Sequence, residues 1–314
     1  MKKNIVLLVL ASLLGLGAWY SYRQSNRKST LEKLDLNFSV SDTASIDRIV
    51  LEPVQGEKAD LVRQSSGGWM LNGKYKVAPV LMDVLLSTIR NLEMLRPLAK
   101  NEAGTAIESM EKRGRKVSVY VQGSLYKAYR LGDDAPGNKG TYIQLEEGDP
   151  YVAYLRGFNG FLNPRFDVTE NEWRDRLLFA CKPSDVKSLK LEYRRMPAES
   201  YQLTVSGRYI QLPGAGRFDT AAAAQVLSSF QRIFIERYLD RMPKSRQDSL
   251  LQAGFEWALE LESAIPAQSA TLQFFLTTDP DRSLAYLPRT REWVTIQNRA
   301  LYPIMQRKSA FLNP

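Results

Sequence analysis

Chemistry needs acids, bases, nucleophiles or cations at fixed spacings, and only a few stretches of this chain offer them. Asp133-Asp134 stands just ahead of Pro136-Gly137-Asn138, and paired carboxylates beside Gly and Asn are the raw material of a calcium loop. The spacing does not match an EF-hand, however, and Asp, Pro, Gly and Asn are ordinary turn residues. Glu146-Glu147-Gly148-Asp149 reads as a charged hairpin tip; acid–base work there would need a raised pKa, which exposed loops seldom supply. The chain has no histidine, which removes His triads, His general bases and His metal ligands together. Cys181, the single cysteine, therefore lacks the imidazole that papain-like nucleophiles use, and reads as a small buried apolar residue. Arg194-Arg195 and Arg113-x-Arg115-Lys116 are small basic clusters: solvated surface, or, as the alternative, contacts to phosphate or anionic lipid. No P-loop, Rossmann fingerprint or nucleophile elbow is present. The residues thus give no catalytic, cofactor-binding or metal-ligating set, and the expectation is a protein that is not an enzyme. A hydrolase using carboxylates alone is the last-ranked alternative, because no acidic pair has a persuasive spacing.

Charge is unevenly placed. Residues 1–34 hold Lys2, Lys3, Arg23, Arg27, Lys28 and Lys33 against Glu32, a balance of +5 out of the chain's +9. A nucleic-acid binder would spread such charge over its folded part, among aromatics. Here it flanks Ile5 to Tyr22, an uncharged run near the minimum for crossing a bilayer as a helix. Trp19, Tyr20 and Tyr22 crowd the far end of that run, where amphipathic rings favour the headgroup region. The expectation is a transmembrane anchor over 1–23, a polar tether over 24–44, and a body on the periplasmic side of a bacterial inner membrane, with no nucleic-acid partner. A cleaved signal peptide, with Ile5–Leu14 as its apolar core and Gly15-Leu16-Gly17 as a weak cleavage site, is the competing reading.

Most of the remaining chain is written twice. Ile46-Asp47-Arg48-Ile49-Val50-Leu51-Glu52 returns as Val186-Lys187-Ser188-Leu189-Lys190-Leu191-Glu192, and the same offset carries Gly67 onto Gly207 and Trp69 onto Tyr209. Leu85-Leu86-Ser87-Thr88-Ile89 falls on Val226-Leu227-Ser228-Ser229-Phe230 one residue further out. This predicts an α+β protein of two tandem related units, 45–180 and 185–314, each an antiparallel sheet packed by a long helix. In the first unit, hairpin strands around Gln55-Gly56-Glu57 and a turn at Asn72-Gly73 lead to a helix from Pro79 of about 17 residues, roughly 25 Å. Its stripe is Leu81, Leu85, Ile89 and Leu92. A weaker helix over Ala103–Arg113 and strands at Val117–Val121, Lys127–Leu131, Thr141–Leu145 and Tyr151–Leu155 follow. In the second, Asp219 or Thr220 caps a helix from Ala221 with Val226, Phe230, Ile233 and Phe234 as its core stripe.

One stretch is more distinctive than periodicity. Gly140-Thr141-Tyr142-Ile143, Gly157-Phe158-Asn159-Gly160-Phe161-Leu162, Arg165-Phe166 and Trp173-Arg174-Asp175-Arg176 resemble the bacterial envelope family catalogued as domain of unknown function 4340. The resemblance covers about residues 30–195 and the rest more weakly; the second copy lacks an echo of Gly157–Phe161. It implies a single apolar segment at the start and, for some members, an ABC-type transporter of the gliding-motility kind as neighbour. It brings no catalytic residues and no cofactors. Trp69, Gly140, Tyr142, Phe158, Gly160, Arg165 and Trp173 are then either turn glycines and packed aromatics or a recognition surface. The function expected is interaction, as an accessory or scaffold subunit. The alternative is a periplasmic glycan- or peptide-binding module using Trp69, Tyr142, Phe158 or Trp173 as exposed platforms.

Overall fold

The computed structural model describes residues 38–312, apart from 138, 146 and 147. The segment Ile5 to Tyr22 with Trp19, Tyr20 and Tyr22, most of the tether, and the Glu146-Glu147 tip lie outside the described residues. Among the described residues, no helix is long and apolar enough to cross a membrane. The protein is α+β, with antiparallel sheets and few helices. It divides into two compact units, the first ending at Arg174 and the second beginning at Asp175.

In the first unit, β1 (Ile46–Pro53) pairs with β2 (Ala59–Arg63), which pairs in turn with β3 (Trp69–Leu71) and β4 (Tyr75–Lys76). The spacing Ile46, Ile49, Leu51 breaks the strict alternation of a strand, yet all three are buried. A register shift between Ile46 and Arg48 explains it: the extra residue is a β-bulge that turns Ile46 back to the core face. The bulge residue Asp47 accepts the Gly123 N–H at 2.6 Å. Asn72 and Gly73 both have positive φ, 51° and 64°, as a tight Asn-Gly turn requires. The helix α1 (Pro79–Asn91) is 13 residues, about 20 Å, and shorter than its periodicity suggested. Its buried face is Met82, Leu85, Thr88 and Ile89, so Leu81 falls on the rim. Leu92 begins β5 (Leu92–Pro97), which pairs with β9 (Pro150–Leu155). Leu92 is buried as a strand residue, which is also what the helical stripe asked of it, so the stripe could not locate the change.

Next come α2 (Lys100–Arg113), β6 (Arg115–Val121), β7 (Ser124–Asp134) and β8 (Thr141–Leu145). The nine strands lie in the order β4-β3-β2-β1-β6-β7-β8-β9-β5. One face, including Ile49, Leu51, Leu61, Val119, Tyr129 and Ile143, forms a core with α1. On the other face Ala106 and Met110 of α2 pack with Ala135, Tyr142 and Val152. After β9 the chain makes the four-residue helix α3 (Glu170–Trp173).

The second unit holds β10 (Leu177–Phe179), β11 (Val186–Tyr193), β12 (Tyr201–Ser206), β13 (Tyr209–Gln211), α4 (Thr220–Ser228), β14 (Ile233–Phe234), β15 (Arg237–Tyr238), α5 (Lys244–Ala253), β16 (Trp257–Ser263), β17 (Ala270–Phe275), β18 (Arg282–Leu287), β19 (Glu292–Gln297) and α6 (Asn298–Leu301). Its eight-stranded sheet runs β13-β12-β11-β16-β17-β18-β19-β15. This is the order of the first sheet without a counterpart of β4, and β11 carries its own register shift between Val186 and Ser188. Asp219 caps α4, its carboxylate accepting the Ala221 and Ala222 N–H groups at 2.9 Å. The helix stops at Ser228 and a 3-10 turn follows, so the expected stripe ends early: Val226, Phe230 and Ile233 are buried, but Phe234 is 46% exposed in β14. β10 pairs with β14, which places Leu177–Phe179 in this unit. Among the described residues, the edges of the two large sheets are short or broken: β4 and β15 have two residues, β13 three, and β5 a register shift between Met94 and Arg96 before Pro97.

Ile49 and Leu189 are fully buried at matching places in β1 and β11. Ile49→Ala and Leu189→Ala should each lower the stability of their own unit by about 2–5 kcal/mol. Hydrogen exchange of the strand amides in each unit reads this, and Tyr209→Ala on the exposed edge should stay within about 0.5 kcal/mol.

Candidate functional site

The distinctive residues converge where the chain leaves β9. Gly157, at φ +75°, turns it out of the sheet, and the Phe158 N–H closes the turn on the Leu155 carbonyl at 3.1 Å. Leu162 and Phe166 then drop into the core, on either side of a 3-10 turn over Asn163–Arg165. A small polar knot fixes this turn. The Thr141 hydroxyl accepts the Leu162 N–H at 2.9 Å and donates to Asp134 Oδ1 at 3.0 Å. Asn163 Nδ2 donates to the same Oδ1 at 3.0 Å and to the Gly132 carbonyl at 2.9 Å. The neighbouring Asp133 instead pairs with Arg113. The two carboxylates that resembled a calcium loop thus serve separate partners, and no group of three or more metal-ligating side chains gathers among the described residues.

Most of the signature is used in packing. Gly140, at φ +125°, brings its backbone so close to β9 that a Cβ would lie 2.1 Å from the Ala153 carbonyl oxygen. Tyr142 is buried against α2, its hydroxyl donating to Glu102 Oε1 at 3.2 Å, and burial pushes its pKa up. Trp69 is buried under the Arg63 guanidinium, 4.6 Å from the ring centroid. Trp173 is wholly buried at the end of α3, where Thr169 and Glu172 form a reciprocal capping box. Its carbonyl accepts the Ala78 N–H at 2.8 Å and so seats the start of α1. Of the four aromatics considered as ligand platforms, only Phe158 faces solvent, at 37% exposure. Cys181 is buried, its thiol donating to Ser263 Oγ at 3.4 Å, and burial pushes that thiol's pKa up, away from a nucleophile's range.

Phe158 and Arg165 do meet. The Arg165 guanidinium lies 4.3 Å from the Phe158 ring centroid, and Gly160 leaves room for that ring, since a Cβ there would stand 3.0 Å from it. Arg165 also donates to Thr88 Oγ1 at 3.3 Å. With Phe161, Pro164 and Val168, and with Leu81 and Val84 from the rim of α1, they line a mostly apolar open groove of about 410 Å³. Among the described residues no carboxylate lines it, so the lining offers apolar contact and a single cation. Sequence reading missed the Asp134–Thr141–Asn163 knot, whose signal was only that a Thr follows Gly140 and an Asn precedes Pro164.

A second, polar hollow of about 320 Å³ is lined by Asp281, Arg282, Gln297, Asn298, Arg299 and Tyr302. Its Arg282 is engaged by Glu236 at 2.7 Å and Asp279 at 3.2 Å.

The family described as "Domain of unknown function (DUF4340)" matches residues 69–253, more than half of the chain and the whole of the signature from Gly140 to Arg176. The chain belongs to that family. The match begins later than the 30–195 span of the resemblance and runs on through α5. No curated protein and no solved structure matches the chain.

In this family member, Gly140→Ala should destabilise the first unit by about 2–5 kcal/mol, through both overlap and strain. Gly157→Ala meets nothing within 4 Å and should cost only about 1–2 kcal/mol, by thermal unfolding of each variant. The Arg282 guanidinium, aided by Gln297 and Thr295, holds the Glu236 carboxyl below the usual carboxylate range. With its folded pKa below an unfolded value of about 4.3, the stabilisation is present above that pH and is lost as pH falls through the folded value. Glu236→Gln should flatten the acid side of a urea-stability profile.

Proposed function

We propose that this protein is a non-enzymatic interaction subunit of the bacterial envelope, an accessory or scaffold beside an ABC-type transporter. In this reading Ile5 to Tyr22 anchors it in the inner membrane, with Trp19, Tyr20 and Tyr22 at the headgroups and the folded units facing the periplasm. The observation that carries the reading is the division of labour in the family signature. Trp69, Gly140, Tyr142 and Trp173 are consumed in packing, whereas Phe158 and Arg165 border an open apolar groove. Grooves of that kind suit a protein partner better than a small substrate, which needs enclosure and several convergent polar groups. A glycan- or peptide-binding module built on a row of exposed aromatics keeps only Phe158 of its four platforms. We further take the two units to be copies of one ancestral unit, supported by their shared strand order and by the bulge that each central strand carries at the same place.

Crosslinking followed by pull-down of the full-length chain from its native membrane tests the reading. The expected outcome is recovery with subunits of an ABC-type transporter. Recovery of the chain alone, at normal abundance, would overturn it.

A further inference from the structure

One residue in the groove is out of keeping with its apolar neighbours. Arg165 has five N–H donors, of which one reaches Thr88 Oγ1, while the face of the guanidinium rests on Phe158. Among the described residues it makes no ion pair; the nearby Asp167 is taken by Arg115, and Glu172 by its capping box.

The second unit shows that the local turn does not require a cation. Leu162-Asn163-Pro164-Arg165 follows β9 and Leu301-Tyr302-Pro303-Ile304 follows β19, both with the Leu-x-Pro pattern. Each is closed by the same backbone bond: Arg165 N–H to the Leu162 carbonyl at 2.9 Å, and Ile304 N–H to the Leu301 carbonyl at 2.8 Å. After the proline, the second unit has an isoleucine with no exposure, and the first has a half-buried arginine. A guanidinium surrounded by apolar side chains is costly to desolvate unless a charge-assisted partner meets it, and a carboxylate matches its fork geometry best.

The shape of the groove selects among carriers of a carboxylate. One wall is a turn of α1 presenting Leu81 and Val84, about 4.5 Å apart along the axis, and the other is the Phe158–Val168 segment. It is partly open to solvent, and its one cation sits among apolar side chains that neighbour each other on α1 and the turn. It suits the apolar face of an amphipathic segment. We propose that this groove docks an amphipathic segment of a partner protein, with apolar side chains against Leu81, Val84 and Phe161 and a single side-chain carboxylate on Arg165. This rests on the interaction reading and adds to it the place and the chemistry of contact.

The test uses the full chain in detergent-free phosphatidylcholine nanodiscs and three probes. These are a helical peptide with leucines along one face and one glutamate among them, its glutamine twin, and dodecanoate. The glutamate peptide should bind on the order of ten-fold more tightly than its twin. Arg165→Gln should abolish that ratio, and Val84→Glu should weaken the glutamate peptide by a similar factor; thermal unfolding confirms that each variant is folded. Because Val84→Glu leaves Arg165 in place, it keeps the test decisive should Arg165→Gln fail to fold. Equal binding of the two peptides, binding of neither, an unchanged ratio in Arg165→Gln, or saturation by dodecanoate in their place would each overturn the proposal. Loss of the groove with undiminished crosslinking of a membrane partner would sink this inference alone and leave the interaction reading standing.

Discussion

The apolar faces of a sheet have to be covered, and on the main core face of the first unit the obvious cover is too small. Nine strands at the usual spacing make a surface roughly 38 Å across, whereas α1 spans about 20 Å. The remaining area is closed by side chains from outside the strands and α1: Phe38 ahead of β1, and Leu162, Phe166 and Trp173 after β9. The distinctive segment from Gly157 to Trp173 is therefore part of the cover over the core. The polar knot of Asp134, Thr141 and Asn163 holds that part in place, because irregular backbone brought to a core must have its N–H and C=O groups satisfied.

The second unit meets the same constraint with a still shorter helix. α4 has nine residues, and Leu301, Ile304 and Phe311 supply the rest of the cover. The Phe311 carbonyl accepts the Asp219 N–H at 2.8 Å, tying the closing segment to the start of the helix as the Trp173 carbonyl ties its own segment to α1. The solutions differ at their outer surface. Where the second unit completes its cover with Ile304, the first places Arg165 and leaves Leu81, Val84 and Phe158 around an open groove.

Much of this fold was legible because its causes are local. Alternation located the strand at Val117–Val121, Asn72-Gly73 located its turn, and the similar heptapeptides from Ile46 and from Val186 each form a strand. What was illegible depended on distant partners. The end of α1 turns on whether Leu92 pairs with Leu155, a contact across the whole unit. Phe234 continued a helical stripe in the sequence, but its pairing with Leu177 makes it a strand residue facing solvent. Trp69, Tyr142 and Trp173 have the same composition as a binding platform, and only burial distinguishes the two. The roles of Asp133 and Asp134 were hidden for the same reason, since their partners Arg113, Thr141 and Asn163 come from three different elements. For the candidate groove, Phe158 and Arg165 stood out in the sequence, but the α1 wall that completes it did not.

The broken and abbreviated sheet edges bear on how such a body lives beside others. An unpaired strand of ordinary length invites any extended polypeptide to zip onto it, which is the first step of clumping among crowded molecules. Two-residue β4 and β15, three-residue β13 and the kinked, proline-ended β5 withhold that invitation at the edges of the two large sheets. What those edges offer a neighbour is side chains more than a row of open backbone groups, and side-chain fit is the more selective of the two.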